Sequence, residues 1–423
     1  MSNRLYCFYD LSVSPCSFDF FQFLTLAEIQ RKREGFQDIE LLFVFGPNNG
    51  YRQDNIRSYE QNDQQFKNVL LPGCQLLPSI KTIRLIDDRN SIKTKEMDPH
   101  AIFPRGYQIN QPTSNYMYNG IVCSHFLEEK PIQFKAPSYA VNSIETYLSN
   151  FKKNKKILVL SARELLREDA SKLRTMRYNV WEKYFLNLNM DEWQPIIIRD
   201  TETALTNTPL FNDIPEATFA SNHLHLRYAL YEASTVNIFK SNGPAVLSLL
   251  GSSKPMIMFL KFDNNVCAMS ENWFKENLGM CHGSHFPFSR KNKIVVWGEE
   301  TQDLIIKAIE IANNTITFEN KLKPHDYCNI TNLIYVVQVS LRYTIRNMRY
   351  GIWKEDIAFF NLYDHLINSK IINAPKSYQI ISELEGNQLP IGTKKSFLKA
   401  LDEYNNNFSL NKSVSDIKVS RYV

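Results

Sequence analysis

Two successive series of short apolar runs, each alternating with longer helical stretches, constrain this chain more than any other feature. In the first series, residues 5–9, 39–45 and 82–86 read as strands. Helices fall between them: one is capped by Ser17 and ends near Gly35, and a second covers residues 65–77. Residues 139–151 then read as a helix, followed by a basic, hinge-like run at 152–156. The alternation restarts with strands at 157–160, 195–198, 236–239, 256–260 and 294–297. Helices at 179–188, 224–233, 244–250, 270–277 and 301–312 separate them. Continuously apolar strands are buried on both faces, and strand–helix alternation builds parallel sheets flanked by helices. The expected fold class is α/β, with two Rossmann-like parallel-sheet domains over 1–150 and 151–320. A helical extension follows over 321–423, including a helix at 333–349 that carries Arg342, Arg346 and Arg349. Residues 88–135 carry prolines and aromatics without periodicity and read as a long irregular binding or wrapping segment.

Composition narrows the partners. A net charge of +5 over 423 residues is too small to argue for nucleic acid, and suits a small anionic substrate or weak attraction to an anionic membrane surface. The seven cysteines form no Cys-x-x-Cys pair, so neither a zinc ribbon nor a disulfide framework is expected. Scattered reduced thiols fit a cytoplasmic protein, at most peripheral to a membrane, since no apolar run approaches the ~20 residues of a membrane span.

In sheets of this kind ligands bind beyond the carboxyl ends of the strands, so polar residues there are the candidates for chemistry. Ser241-Asn242-Gly243-Pro244 opens the helix at 244–250, and Gly251 is placed to close it in a left-handed cap. Backbone N–H groups at such a turn point toward an anion, although an ordinary strand–turn–helix connection gives the same pattern. Arg163 and Glu164 follow the strand at 157–160, with Arg167, Arg174 and Arg177 close behind; guanidinium forks suit a diphosphate. Arg199 and Glu202 end the next strand, and Lys240 and Lys261 flank the following ones. Asp10, directly after the first strand, is placed to act as general base, with Glu164 the second candidate catalytic carboxylate. Asp19 and His285 are weaker candidates; helix support and a structural histidine are the bland alternatives. His223 and His225 lack a third ligand nearby, and no Asp-x-Asp stands at a strand end, so no metal is expected. Gly-x-Ser-x-Gly, Walker and Gly-x-Gly-x-x-Gly motifs are all missing, which argues against hydrolase, P-loop and dinucleotide chemistry.

Taken in order, these residues resemble those of bacterial glycosyltransferase-like proteins of the two-Rossmann (GT-B) type, and of a group associated with surface-polysaccharide synthesis. The likeness rests on Tyr9-Asp10-Leu11 with Ser17-Phe18-Asp19-Phe20, and on Asn68-Val69-Leu70-Leu71-Pro72 with Leu76-Leu77-Pro78. It continues through Arg163-Glu164, Arg177-Tyr178-Asn179, Arg199-Asp200-Thr201-Glu202, Asn242-Gly243-Pro244 and Val296-Trp297 with Glu299-Glu300-Thr301. The resemblance implies a metal-independent transferase with no cofactor beyond its nucleotide-sugar substrate. It puts the donor on the second domain, near Arg163, Arg177, Asn242, Gly243 and Pro244, and a glycan or lipid-linked acceptor on the first, near Asp10. The turn lacks the acidic residue that many such donor sites carry, a part that Glu202 is placed to fill. A nucleotide-sugar epimerase of the same frame, or a non-catalytic sugar- or nucleotide-binding partner, are the alternatives.

Overall fold

The computed structural model describes residues 3–315, except 48, 54–56, 115–117, 127–131, 152–153, 165–171, 207 and 290–291, together with 372–373 and 409–410. The chain divides into two compact units. The first comprises Met1–Met117, Pro131–Trp273 and Ser289–Lys321, and the second Tyr118–Lys130, Phe274–Phe288 and Leu322–Val423. Both expected sheets lie in the first unit. The helix expected at 333–349 falls outside the described residues.

The first sheet begins with β1 (Arg4–Asp10), α1 (Phe20–Glu34) and β2 (Asp38–Val44). Arg31, Lys32 and Arg33 complement the negative end of α1, and Gly35 closes it at φ 76°, a left-handed conformation that a side chain would strain. The single helix expected at 65–77 is instead α2 (Tyr59–Gln65), a wide π-turn at Phe66–Leu70, and α3 (Leu71–Gln75). Pro72 explains the break, because it cannot donate to the helical ladder and the chain widens just ahead of it. After β3 (Ile80–Ile86) come three short 3₁₀ turns and the two-residue β4 (Ile102–Phe103), too brief to leave a periodic signal. The order is β3-β2-β1-β4, all parallel. Next come α4 (Tyr118–Phe126) in the second unit and α5 (Ser138–Leu148) in the first.

The second sheet starts at β5 (Lys156–Ser161) and continues through α6 (Tyr178–Leu186), β6 (Trp193–Ile198), α7 (Thr218–Asn222) and α8 (Leu224–Ala233). It goes on with β7 (Val236–Lys240), α9 (Ala245–Gly251), β8 (Met256–Leu260), α10 (Glu271–Leu278), β9 (Lys293–Trp297) and α11 (Gln302–Thr315). Its order is β6-β5-β7-β8-β9, again all parallel. Two further dipeptides, β10 (Ile372–Asn373) and β11 (Ser409–Leu410), pair antiparallel. The fold is thus α/β with two Rossmann-like parallel sheets. No helix among the described residues is long and apolar enough to cross a membrane.

Each sheet reverses its strand order once, between β1 and β4 in the first and between β5 and β7 in the second. Crevices for ligands open at such points. The connector ahead of α5 joins the two halves tightly. Ile132, Phe134 and Ala136 are buried, whereas Gln133 and Lys135 face outward. Phe134 meets Phe21 of α1 and Tyr228 of α8 edge-on, with ring centroids 5.5 and 6.2 Å apart. The Tyr228 hydroxyl lies 3.0 Å from the Phe134 carbonyl and 2.9 Å from that of Gly251. Gly251 does not cap α9 in a left-handed conformation; the helix ends at extended Ser252. The glycine is required because a Cβ there would stand 2.0 Å from the Phe134 ring.

His225 on α8 makes a second joint. Its Nε2 lies 2.7 Å from the Pro72 carbonyl and its Nδ1 2.5 Å from the Tyr139 hydroxyl. A neutral ring that donates from Nε2 and accepts at Nδ1 satisfies both contacts. Burial lowers the affinity of His225 for a proton below the ordinary histidine value of 6.5, and the charge of His223 adds to this against the Pro72 bond. The unfolded chain therefore takes up this proton first. The stability contributed by the joint is present above pH ~6.5 and is lost as pH falls through the lower folded value. Urea titrations at pH 7.5 and 5.5 should show the wild type losing about 1 kcal/mol more than His225→Gln. Parallel losses in the two proteins would exclude His225 as the titrating group.

Candidate functional site

At the second switch point β5 runs into Arg163 and Glu164, β6 into Arg199 and Asp200, and β7 into Ser241 and Asn242. The strand-end residues singled out in the sequence are therefore brought together, but they divide into two classes.

The first class is engaged by other side chains. Arg199 grips Glu164 bidentately, Nε to Oε2 at 3.0 Å and Nη2 to Oε1 at 2.7 Å, and its remaining Nη1 donates to Thr206 Oγ1 and the Thr208 carbonyl. Glu164 also accepts from the Thr203 hydroxyl at 2.5 Å, and both charged residues are buried. Neither a free carboxylate for catalysis nor a free guanidinium for a donor remains, so this pair serves the framework. Lys240 is likewise buried in an ion pair with Glu300. Lys261 and Arg177 both pair with the exposed Glu299, at 2.8 and 3.0 Å. The Lys261 bond and charge, with the charge of Arg177, hold the Glu299 carboxyl below its ordinary range.

The second class is left open. Arg163 reaches Asp200 through Nη1 alone, at 3.3 and 3.4 Å, and its Nε is buried with no partner. Asp200 is fixed by the Glu164 backbone N–H at 2.9 Å, and burial raises its carboxyl against the pull of Arg163. Arg174 donates Nε to the Ser241 carbonyl at 3.2 Å. Burial, helped by the charge of Arg163, lowers the affinity of Arg174 for its proton, and only Asp200 opposes them. Among the described residues, two part-buried guanidinium groups thus have one nearby carboxylate between them, in contact with Arg163 alone of the two. Asn242 adds a neutral donor. Its Oδ1 accepts from the Ala245 N–H at 3.1 Å, which fixes the carboxamide and turns out an NH₂ group without a partner among the described residues. Gly243 lies against Phe18 of the first half, where an ideal Cβ would stand 2.8 Å from Phe18 Cδ2, and Pro244 begins the turn into α9 with φ −57°. Glu202 is exposed on the 201–205 turn.

In the first half Asp10 is fully buried at the β1–β4 switch point. Arg89 donates to both its oxygens, at 3.1 and 2.6 Å, Tyr107 donates at 2.7 Å, and the Ser12 hydroxyl and N–H donate at 2.6 and 3.0 Å. Arg89 also spans the carbonyls of Phe45 and Ile109. The expectation of Asp10 as base meets a carboxylate already surrounded by donors, which ties β1 to β2 and to the 107–109 segment.

Asp19 has a different setting. It accepts from Ser17 Oγ at 2.8 Å and Gln22 Nε2 at 2.9 Å. It stands at the cap of α1, where Ser17 was expected. Burial raises its carboxyl above the ordinary aspartate value of 3.8, outweighing the Ser17 bond and the charges of Arg57 and Arg52. Arg57 Nη1 holds the Cys16 carbonyl of the same loop at 3.1 Å. His285 belongs to the second unit, and burial lowers its proton affinity there. Arg174 was visible in the sequence only as one of a run of arginines; its contact with the Ser241 carbonyl, 67 residues away in sequence, singles it out.

No family model matches the chain, and no curated protein matches it. Among solved structures it is similar to the glycosyl transferase family 9 protein from Veillonella parvula DSM 2008, at 9% identity and a TM-score of 0.40, over 81% of this chain and 99% of that one. It is also similar to the E. coli ADP-heptose lps heptosyltransferase II, at 9% identity and a TM-score of 0.32, over 75% and 78% of the two chains. The wall teichoic acid polymerase TagF is a third, at 10% identity and a TM-score of 0.27, over 84% and 89%.

The division into engaged and open residues is testable through stability. Asp10→Ala leaves the Arg89 guanidinium without its carboxylate and should cost about 3–5 kcal/mol in urea unfolding. A loss under ~1 kcal/mol, the size of a surface pair, would mean that Asp10 is not the anchor of this network.

Proposed function

We propose that the protein is a glycosyltransferase that moves a sugar from a nucleotide-sugar to a glycan or lipid-linked acceptor in surface-polysaccharide synthesis. One observation carries this reading: folding concentrates the incompletely paired guanidinium groups of Arg163 and Arg174, with the Asn242 amide, at the switch point of the second sheet. A cluster of hydrogen-bond donors carrying excess positive charge suits a ligand rich in acceptors and negative charge. The diphosphate of a nucleotide-sugar is such a ligand. As the bond from sugar to diphosphate breaks, charge develops on the leaving oxygen. Fixed donors in a dry site stabilise that charge most, and in this reading Arg163 and Arg174 neutralise it with no resident cofactor.

The acceptor must lose a proton as it attacks. Asp19 is the carboxylate suited to take it, because its turn abuts the 241–244 turn through Phe18 and its raised carboxyl makes it a stronger base than an ordinary aspartate. The new bond joins the acceptor oxygen to the sugar, the proton passes to Asp19, and the nucleoside diphosphate leaves with the bonding pair. Asp10 and Glu164 support the loops that carry these groups.

Calorimetric titration of nucleoside diphosphates into the full chain tests the donor site. Arg163→Ala and Arg174→Ala should each weaken binding by about 1.5–3 kcal/mol. Wild-type affinity in both variants would remove the pair from any donor site. Asp19→Asn should retain that affinity while transfer falls by about 10²–10⁴-fold. In the wild type, kcat/KM should fall as pH drops through the raised carboxyl value of Asp19, since the protonated acid cannot accept a proton. Nucleotide binding with no turnover of any donor by the wild type would favour the non-catalytic binding partner instead.

A further inference from the structure

Phe18 and Gly243 come from different halves of the first unit, yet they meet closely. An ideal Cβ on Gly243 would stand 2.8 Å from Cδ2, 3.2 Å from Cγ and 3.3 Å from Cβ of Phe18, so the whole near edge of the side chain rests on the glycine. The φ of Gly243 is not in the left-handed region, so backbone conformation does not demand a glycine here; the approach of the ring does. Phe18 also packs on Phe21, with centroids 6.0 Å apart, and the Phe21 N–H donates to the Phe18 carbonyl at 3.1 Å. Phe18 is therefore fixed between the first turn of α1 and the donor-side turn. Each neighbour of this contact belongs to the proposed site. Asp19 follows Phe18 directly, Asn242 precedes Gly243, and the Ser241 carbonyl holds Arg174.

We propose that Phe18 is a positioning residue that, seated on Gly243, sets where the Asp19 carboxylate stands relative to the donor-side turn. The inference rests on the glycosyltransferase reading and adds to it the part that registers the base against the donor. A side chain at 243 must displace the ring, and the ring carries the Asp19 backbone with it. Arg163 is held by Asp200 and the 241–245 turn keeps its Asn242–Ala245 bond, so the ring is the part expected to move. Substitution at this contact is thus expected to alter turnover while sparing donor affinity, since a misplacement of ~1 Å is enough to cost about 100-fold in rate.

The test uses Gly243→Ala, Phe18→Ala and the double variant in the full chain, with nucleoside diphosphate affinity, kcat, KM and the Asp19 carboxyl titration (by carbon-13 NMR of aspartate-labelled protein) as readouts. Gly243→Ala should lower kcat by about 100-fold and leave nucleotide affinity within about two-fold of wild type. Its Asp19 titration should move down toward that of an ordinary aspartate as the displaced loop admits water. The double variant should be no worse than Phe18→Ala, because without the ring the added methyl has nothing to push; it also remains informative if Gly243→Ala alone folds poorly. Wild-type kcat together with a wild-type Asp19 titration in Gly243→Ala would overturn the proposal, as would effects of the two substitutions that simply multiply. A wild-type protein that binds nucleotide but turns over no donor would sink the glycosyltransferase reading, and the Asp19 titration would then decide the Phe18 proposal by itself.

Discussion

The seating of Phe134 between the two halves is the contact on which the rest of the first unit depends. Its ring touches Phe21 and Tyr228, its carbonyl is bonded by the Tyr228 hydroxyl, and Gly251 gives up a side chain to admit it. A buried carbonyl without a donor costs free energy, and the single Tyr228 hydroxyl proton stands within reach of both the Phe134 and the Gly251 carbonyls. The arrangement fixes the connector by packing and hydrogen bonding together. It also holds α1 and α9 near each other, so the turns ahead of those two helices meet as Phe18 on Gly243. The place where chemistry is proposed is therefore a consequence of how the connector is buried.

Strand ends in this protein carry two kinds of charge, separated by what the fold supplies to them. Asp10 receives Arg89 from 79 residues away and Tyr107 from 97 away. Glu164 receives Arg199 from 35 away. These carboxylates lie where catalytic groups usually lie, but bidentate partners engage them and their burial forbids easy exchange. Removing either partner would strand a charge in a dry setting, which is why such pairs persist as framework even where they add little net stability.

The legible part of the fold was local. Apolar runs revealed eight of the strands, and Gly35 marked the end of α1, because those signals sit within a few residues of what they specify. The five-residue turn at Phe66–Leu70, just ahead of Pro72, reads as plain helix, since a single π-turn is too short to change the apolar pattern. β4 escaped because two residues show no period. Among the candidate residues, the strand-end positions of Arg163 and Asn242 were legible, whereas the pairing of Asp10, Glu164, Arg199 and Lys240 was not. Whether a strand-end charge is open or paired depends on partners 35 to 97 residues distant, and nothing in the local sequence encodes them. Among the described residues Asp19 has only near neighbours as hydrogen-bond partners, Ser17 and Gln22, and what raises its carboxyl is burial, which the local sequence does not show.

Consider what an incoming anion meets at the second switch point. Lys240 faces Glu300, Arg199 faces Glu164, and Lys261 and Arg177 share Glu299. Each of these cations has an opposite charge within hydrogen-bonding distance, and exposed pairs among them are further screened by solvent. Arg163 reaches Asp200 by one nitrogen at 3.3 Å or more. Among the described residues Arg174 bonds only the Ser241 carbonyl and feels Asp200 through its charge, and burial weakens the hold of Arg174 on its proton. In the proposed reading, a ligand that supplies oxygens restores the hydration these part-buried guanidinium groups give up on folding. Selectivity for an anion would then follow from which partners the fold withholds as much as from which it provides, and a diphosphate offers enough oxygens to satisfy both guanidinium groups and the Asn242 amide together.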